Sequence, residues 1–415
     1  MGRSRGVYLA VGFVMNLMLG TAYAWSVFSK PLETRYGASS FTAMLPFAVE
    51  LALFSVGMVF AGRLVDRHGP RKVALLGALL VGAGYGLSAL LDLVPWPLEW
   101  LTVTYGVVVG LGIGFAYNPP IPTAVRWFPD RKGIASGLVV MGFGLSPLVT
   151  APAAEYLIGA QGIANTFLIL GAVFVVVLLA CGALLRFPPA DWKAPAVAAT
   201  SRRTWTPVDD VETKRMIRTR EFWAVWLLYV LGTAGGFMII GKAKPIAMDL
   251  VAATGVTATA AVQILAVFNS GGRPLFGRVA DVYGPKKALL AMYLVLIGAM
   301  ALLALSTSLV PLYLGIGITG MVFGGFLAVM PALSTYFFGA KHLGTNYGVL
   351  FTGYGSGAIV ALFAIGWIKD SAGSFVPAFY IGIVLSVLGL LLSLLVRPPR
   401  PTAARIVPER VPARA

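Results

Sequence analysis

The sequence predicts an all-α membrane protein with twelve transmembrane helices, arranged as two pseudo-symmetric halves of six helices. Three observations predict this fold class: the composition, the placement of the basic residues and an internal repeat. Of the 415 residues, 58% are hydrophobic and only 12% are charged, and the mean hydropathy is +0.84. Soluble domains carry roughly 25% charged residues. The composition therefore excludes a soluble protein.

Twelve segments are long and apolar enough to cross a bilayer, which takes about 20 residues of helix. In chain order the predicted spans cover residues 7–28, 41–62, 73–92, 99–125, 134–158, 166–186, 222–241, 256–276, 287–307, 309–333, 344–368 and 376–396. The first is too long for the apolar core of a cleavable signal peptide, and further spans follow it. We therefore expect it to stay in the protein as span one.

The net charge of +16 reflects where the basic residues lie. With the N-terminus placed in the cytoplasm, 26 of the 32 Lys and Arg residues fall in inside segments, 5 fall in outside segments and Arg273 lies in a span. This bias satisfies the positive-inside rule. We predict a multi-pass protein of the cell membrane with both termini cytoplasmic, and we interpret the basic balance as topology and not as a nucleic-acid surface.

One long polar stretch, which contains "TSRRTWTPVDDVETKRMIR", separates spans one to six from spans seven to twelve. It predicts four segments along the chain. These are an N-terminal six-helix half (1–187), a cytoplasmic linker (188–221) with a short interfacial helix at its end, a C-terminal six-helix half (222–397) and a basic cytoplasmic tail (398–415).

The two halves repeat a loop motif. "GRLVDRHGPRK" (62–72) follows span two, "GRVADVYGPKK" (277–287) follows span eight, and six of the eleven positions are identical. The carboxylate can cap a helix end, and the glycines permit a tight turn. Parallel repeats of this kind form a site between the halves near the membrane midplane. The signature-loop residues are Gly62, Asp66, Gly69 and Arg71 in the first half and Gly277, Asp281, Gly284 and Lys286 in the second.

This repeated loop resembles the signature loop of the major facilitator superfamily, and the resemblance covers essentially the whole chain. Three further stretches, "GTAYAWSVFSKPL", "RWFPDRKGIASG" and "NSGGRPLFGRVAD", are similar to the branch of oxalate:formate antiporters and monocarboxylate porters. The resemblance implies a monomeric secondary active transporter of small monocarboxylates of the lactate or pyruvate type, with proton-coupled symport by alternating access. The alternative is an organic anion antiporter of the oxalate:formate type.

Arg273 lies inside predicted span eight, where a charged side chain is costly. Arginine keeps its proton in proteins, so a buried guanidinium needs an anion. No acidic residue lies three or four positions away in the same helix. We hypothesise that a substrate carboxylate supplies the anion, with Asn269 one turn earlier as a second contact. The alternative is that Arg273 extends to the nearby cytoplasmic edge. The resemblance implies the first, because the matching arginine in the related porters binds the carboxylate.

The resemblance also implies an aromatic cavity, whose lining positions match Tyr23, Tyr117, Phe143 and Phe323. The antiporters have a second cation in span eleven, a lysine, and here that position holds Tyr354. A single cation suits a monocarboxylate better than a dianion such as oxalate. For each of these rings, ordinary helix packing is the alternative interpretation.

Three further polar residues are candidates. Asn118 adjoins a proline cluster that breaks the hydrogen-bond ladder of span four, and it is either a cavity residue or part of a structural kink. Glu50 lies about 18 Å from the end of span two, near mid-membrane. Burial disfavours its charged form, which makes it a candidate proton carrier or a neutral acid partnered by Asn16. Asp249, beside Lys242 and Lys244, is a second proton-coupling candidate or a rim charge.

No catalytic, metal or cofactor site is expected. The two histidines, His68 and His342, lie in loops of opposite halves, away from other metal-ligand residues. "GFMIIGKA" (236–243) has Ala243 where a phosphate-binding loop needs Ser or Thr. We therefore expect a gradient-driven transporter and not an enzyme. Its partners would be a small organic acid anion, a proton and the lipid bilayer.

Overall fold

The computed structural model describes residues 5–189, 191–192 and 210–397. Every regular element within these ranges is a helix. Most of the predicted linker and the whole predicted basic tail (398–415) lie outside the described residues. The boundaries proposed for the two halves and the linker stay a prediction.

The helices before the linker supply spans one to six. Span one is longer than predicted, because a helix continues past its turn to Tyr36. In order, the elements are Gly6–Leu19, Gly20–Ala24 and Ser26–Tyr36 in span one, Ser40–His68 in span two, Pro70–Ser88 in span three, Pro97–Leu101, Thr102–Val109, Gly110–Tyr117 and Pro120–Trp127 in span four, and Lys132–Leu184 in spans five and six.

Two breaks shape this half. Span four stops at Tyr117 and resumes at Pro120, as the proline cluster predicts, since proline is tolerated at the first position of a helix. Predicted spans five and six leave an interval at 159–165, and the structure fills most of it with helix. The chain stays helical on both sides of Gly162, whose φ of 82° and ψ of 171° turn it, a backbone conformation that glycine adopts without steric cost.

The helices after the linker supply spans seven to twelve. The short interfacial helix predicted at the end of the linker corresponds to Thr213–Met216, and a second short helix, Ala243–Val251, connects spans seven and eight. The spans are Arg220–Ile240, Gly255–Tyr283, Pro285–Ala304, Leu309–Phe338, the pair Leu343–Leu350 and Thr352–Ala372, and Val376–Leu395.

Nine helical segments of the described chain are long and apolar enough to cross a membrane. One of them, Lys132–Leu184, contains two crossings joined at Gly162. Helices Pro70–Ser88 and Gly255–Tyr283 supply spans three and eight. The described helices thus account for the predicted twelve.

The most extensive helix contacts between the halves are those of span five with span eight and of span two with span eleven. Glycines permit the close approach. A side chain at Gly133 would overlap the backbone of Gly277, and one at Gly62 would overlap the backbone of Gly344. The prediction that Gly62 forms a tight turn is therefore wrong, because it lies within span two, at a helix contact. Gly69 makes the turn, with a φ of 81°.

The two signature-loop acids close one side of the interface between the halves. The carboxylate of Asp281 accepts hydrogen bonds from the backbone N–H groups of Gly133 and Ile134, both at 2.8 Å. Asp66 accepts from the N–H and the hydroxyl of Thr345, both at 2.8 Å. These amides lie at the N-terminal ends of spans five and eleven, where free N–H groups and the helix dipole favour an anion. The predicted capping role is confirmed, and in each case the capped helix belongs to the other half.

The remaining signature-loop residues lie at or contact the ends of helices. Gly284, with a φ of 96°, turns the chain between spans eight and nine as Gly69 does between spans two and three. The ammonium group of Lys286 donates to the carbonyl oxygens of Val396, at 2.7 Å, and Leu394, at 3.1 Å, at the end of span twelve. Arg71 lies exposed at the start of span three.

Candidate functional site

A cavity of about 440 Å³ lies between the two halves, on the side opposite the signature loops. Tyr23, Gly144 and Asn269 line its inner end, and Glu155 and Lys244 line its outer part. Both halves therefore contribute to its wall. Since the signature-loop side is sealed by Asp66 and Asp281, the structure has the cavity facing the side predicted to be outside.

Arg273 lies one helical turn beyond Asn269 and is 0% exposed. Its Nε and Nη2 atoms donate to Asn269 Oδ1 at 3.1 and 3.0 Å, and Nη1 donates to the carbonyl oxygen of Val140. None of the salt bridges among the described residues involves Arg273. The interpretation that this side chain extends to the membrane edge is wrong, because the guanidinium is buried between the halves.

A glycine of span five makes room for the guanidinium. A Cβ atom at Gly144 would lie 2.9 Å from Asn269 Oδ1 and 3.2 Å from Arg273 Nε. Gly144 is also part of the cavity wall. The position is therefore one where the cavity, Asn269 and Arg273 meet, and where added bulk would push on all three.

The four aromatic residues predicted to line the cavity and Tyr354 come together in the structure, but of these five only Tyr23 belongs to the cavity wall. The Tyr23 and Tyr354 hydroxyl oxygens are 2.6 Å apart. The Phe143 ring lies 5.0 Å from the Tyr23 ring and 5.4 Å from the Tyr117 ring, and the Phe323 ring lies 6.2 Å from the Tyr354 ring, measured between centroids. They form one cluster across the middle of the molecule.

The guanidinium of Arg273 lies against this aromatic cluster. Its central carbon is 5.9 Å from the centroid of the Phe143 ring. The phenol groups of Tyr23 and Tyr117 interact with it electrostatically. The Tyr117 hydroxyl is buried and has no hydrogen-bond partner among the described residues. A cation surrounded by phenol O–H groups is an arrangement of donors that complements a carboxylate.

Further rings of this cluster were not predicted from the sequence, and three of them are phenylalanines. Phe54 packs at 5.1 Å from the Tyr117 ring, and Phe237 packs at 4.9 Å from the Tyr354 ring. Phe351 packs at 4.9 Å from Phe54. A phenylalanine in an apolar span carries no sequence signal that separates a cavity wall from the lipid-facing surface.

Asn118 does not reach the cavity in this structure. Its side-chain N–H group donates to the carbonyl oxygens of Met58 at 3.3 Å and Gly344 at 3.4 Å. Asn118 therefore links spans two, four and eleven on the signature-loop side. This placement favours the structural interpretation over the substrate contact.

Glu50 is 0% exposed, and neither carboxyl oxygen has a hydrogen-bond partner among the described residues. The expected partnership with Asn16 is wrong, since the Asn16 amide donates to the Gly12 carbonyl oxygen at 2.9 Å. The groups that interact with Glu50 electrostatically are phenols: Tyr23, Tyr85, Tyr105 and Tyr354.

Asp249 forms an ion pair with Lys369 at the rim of the molecule, with side-chain exposures of 28% and 31%. Lys369 also donates to the carbonyl oxygen of Gly373 at 2.8 Å. Of the two lysines expected beside Asp249, Lys244 lines the cavity. Asp249 is absent from the cavity wall, and its geometry is that of a rim charge.

Comparisons with known proteins agree with this architecture. The sequence profile of the Major Facilitator Superfamily matches residues 9–277 and 243–414. The chain is 27% identical to the oxalate:formate antiporter of Oxalobacter formigenes over 88% of this chain and 86% of that protein. It is 26% identical to monocarboxylate transporter 12 of Xenopus laevis over 77% of this chain and 72% of that protein.

A solved structure of the transporter FucP in the outward conformation is similar in fold. The TM-score is 0.70 at 15% sequence identity, and the match covers 96% of this chain and 100% of that one. At this identity the likeness concerns the fold alone.

Proposed function

Because the chain belongs to the Major Facilitator Superfamily, whose members are transporters and not enzymes, we propose that it is a secondary active transporter of small monocarboxylates. The substrates are anions of the lactate or pyruvate type, and each crosses the cell membrane together with a proton by alternating access. Arg273 binds the substrate carboxylate.

The buried, unpaired charge of Arg273 is the observation that carries this proposal. A charge removed from water is strongly destabilising unless a counter-ion and hydrogen bonds compensate it. The guanidinium has hydrogen-bond acceptors in Asn269 and Val140, but no carboxylate of the described residues forms an ion pair with it. A carboxylate at the floor of the cavity supplies that anion and can accept from two N–H groups at once.

The surroundings of Arg273 favour a small substrate with one charge. Phe143 and Phe323 give the site apolar walls. Tyr354 occupies the position where the antiporters have a lysine, so the buried floor offers one cation to the substrate. A dianion such as oxalate would keep one carboxylate without a partner there.

The different states of the two sides of the interface support alternating access. In the present state substrate enters from the outer side, and the signature-loop side is closed by Asp66 and Asp281. Release to the cytoplasm requires both caps to break while the cavity closes. The two caps are hydrogen bonds between the halves, so a rocking movement of one half against the other breaks them together.

The relative from Oxalobacter formigenes supports a second candidate, an exchange of organic anions without a proton. An exchanger returns only when loaded, so it needs anion on both sides of the membrane. A symporter accumulates substrate against an empty interior when a proton gradient is imposed.

The experiment uses the purified chain in proteoliposomes and measures uptake of labelled lactate. We expect an inward proton gradient to drive accumulation, and we expect Arg273→Ala to abolish it. Arg218→Ala is the matched control, because Arg218 is an exposed arginine outside the cavity. Uptake that requires internal anion would favour exchange. Full uptake by Arg273→Ala would refute the assignment of Arg273.

A further inference from the structure

Glu50 is the buried acid of span two, and the described residues provide its carboxylate with neither a hydrogen bond nor a salt bridge. Its residue exposure is 0%, and both carboxyl oxygens are without a hydrogen-bond partner in the described part of the chain. None of the described salt bridges includes it. A carboxyl group in such surroundings becomes neutral by binding a proton.

The groups around Glu50 come from several elements, and none of them is charged near neutral pH. Tyr23 belongs to span one, Tyr85 to span three, Tyr105 to span four and Tyr354 to span eleven. Phenols ionise near pH 10. No cation among the described residues forms an ion pair with an ionised Glu50, and the bound proton is the compensation that remains.

From this geometry we infer that Glu50 is the binding site of the co-transported proton, separate from the carboxylate site at Arg273. This inference rests on the proposed function, because it concerns how that transport is coupled. Asp249, the other candidate acid, is paired with Lys369 at the rim, so its carboxylate already has a cation.

Tyr23 connects the two sites. Its phenol interacts electrostatically with both Glu50 and Arg273, and its hydroxyl is hydrogen-bonded to Tyr354 across the two halves. Tyr23 also lines the cavity. The proton site and the anion site are therefore both neighbours of Tyr23, and Tyr23 belongs to the inner wall of the cavity.

The buried charges of the two sites give a reason for coupling. With a proton on Glu50 and a carboxylate on Arg273 the buried net charge is zero, and with both ligands gone it is zero again. With the proton alone the net charge is one positive, and with the anion alone it is one negative. Both side chains are already buried, and a net charge removed from water is costly, so the singly loaded forms are disfavoured. One proton then moves with each monocarboxylate.

The test separates net transport from exchange. Glu50→Gln keeps the shape of the side chain and fixes it in a neutral form. Two rates are measured in proteoliposomes: lactate accumulation driven by an inward proton gradient, and exchange of labelled for unlabelled lactate at equal concentrations. We expect Glu50→Gln to lose gradient-driven accumulation by at least about tenfold and to retain exchange, because its loaded form is neutral and its empty form carries the charge of Arg273.

Each result decides a separate question. Gradient-driven accumulation by Glu50→Gln at the wild-type level would overturn the inference and leave the proposed function standing. Loss of exchange together with accumulation indicates a structural role and also overturns it. If Glu50→Gln does not fold, Glu50→Asp decides: it retains an acid and must accumulate lactate in response to the proton gradient. A wild-type protein that transports no monocarboxylate would refute the proposed function itself.

Discussion

The hydroxyl oxygens of Tyr23 and Tyr354 lie 2.6 Å apart, and this hydrogen bond joins span one of the first half to span eleven of the second. Tyr23 lines the cavity, whereas Arg273 is fully buried and lies outside the lining. A carboxylate that binds Arg273 therefore has to reach past the inner wall to which Tyr23 belongs. A substrate that reached Arg273 would therefore disturb this contact between the halves.

We expect Tyr354→Lys to shift the preference from lactate towards oxalate. The new ammonium group would supply the second cation that a dianion needs, and it would remain uncompensated with a monocarboxylate. The change in the ratio of the two affinities should be at least about tenfold, equivalent to ~1.4 kcal/mol. Competition of unlabelled oxalate with labelled lactate uptake measures it. Tyr354→Phe, which removes only the hydroxyl, should produce no gain for oxalate, and an equal gain would contradict the explanation.

Arg273→Lys should retain transport but weaken it. Lysine keeps the positive charge, but it lacks the planar fork that donates to a carboxylate and to Asn269 together. We expect the KM for lactate to rise by about tenfold or more, with a smaller change in the maximal rate. Initial rates over a range of lactate concentrations give both constants. An unchanged KM would show that bidentate geometry plays no part in binding.

Asp281→Asn should weaken the closure of the signature-loop side. Asparagine lacks the negative charge that interacts with the amides of Gly133 and Ile134. A helix cap of this kind contributes about 1 kcal/mol. The population of the opposite state should rise by about fivefold. In the opposite state the cavity is closed to the outside. An impermeant thiol reagent added outside would therefore label a single cysteine in the cavity less. The double variant with Asp66→Asn should show a larger decrease, and no decrease in either would contradict the role of the caps.

Cysteines at positions 155 and 244 should report closure of the outer side. Glu155 and Lys244 line the cavity from different halves, so alternating access brings their sides of the cavity together. The native Cys181 is first replaced by serine. We expect little cross-linking by a short bifunctional reagent in the present state and several-fold more when Asp281→Asn is added. Equal cross-linking in both would argue against closure at this mouth.

Asp249→Asn should leave proton coupling intact. Its ion pair with Lys369 is partly exposed, and such pairs contribute about 0–1 kcal/mol. Thermal stability in detergent and the stoichiometry of lactate and proton uptake should both stay near the wild-type values. A loss of coupling in this variant, with coupling kept in Glu50→Gln, would move the proton site from the buried acid to the rim.

The fold class, the twelve spans and an arginine inside a span were all predictable from the sequence alone. Hydropathy and charge act along the chain, so a run of about 20 apolar residues predicts a span wherever its neighbours lie. Arg273 is conspicuous for the same reason, because it interrupts such a run. The proline break after Tyr117 is also local, since proline lacks the N–H group that a continuous helix uses.

Which polar groups meet became clear only in three dimensions. The tertiary structure showed that Glu50 has no partner in Asn16, that Asp249 pairs with Lys369, and that Asn118 joins helices away from the cavity. It also showed that Asp66 and Asp281 cap helices of the opposite half. These outcomes depend on which helices are adjacent and how they are rotated. Hydropathy along the chain gives no information about the adjacency or the rotation of the helices. The reason is that every face of a membrane-buried helix is apolar enough to pack against protein or lipid.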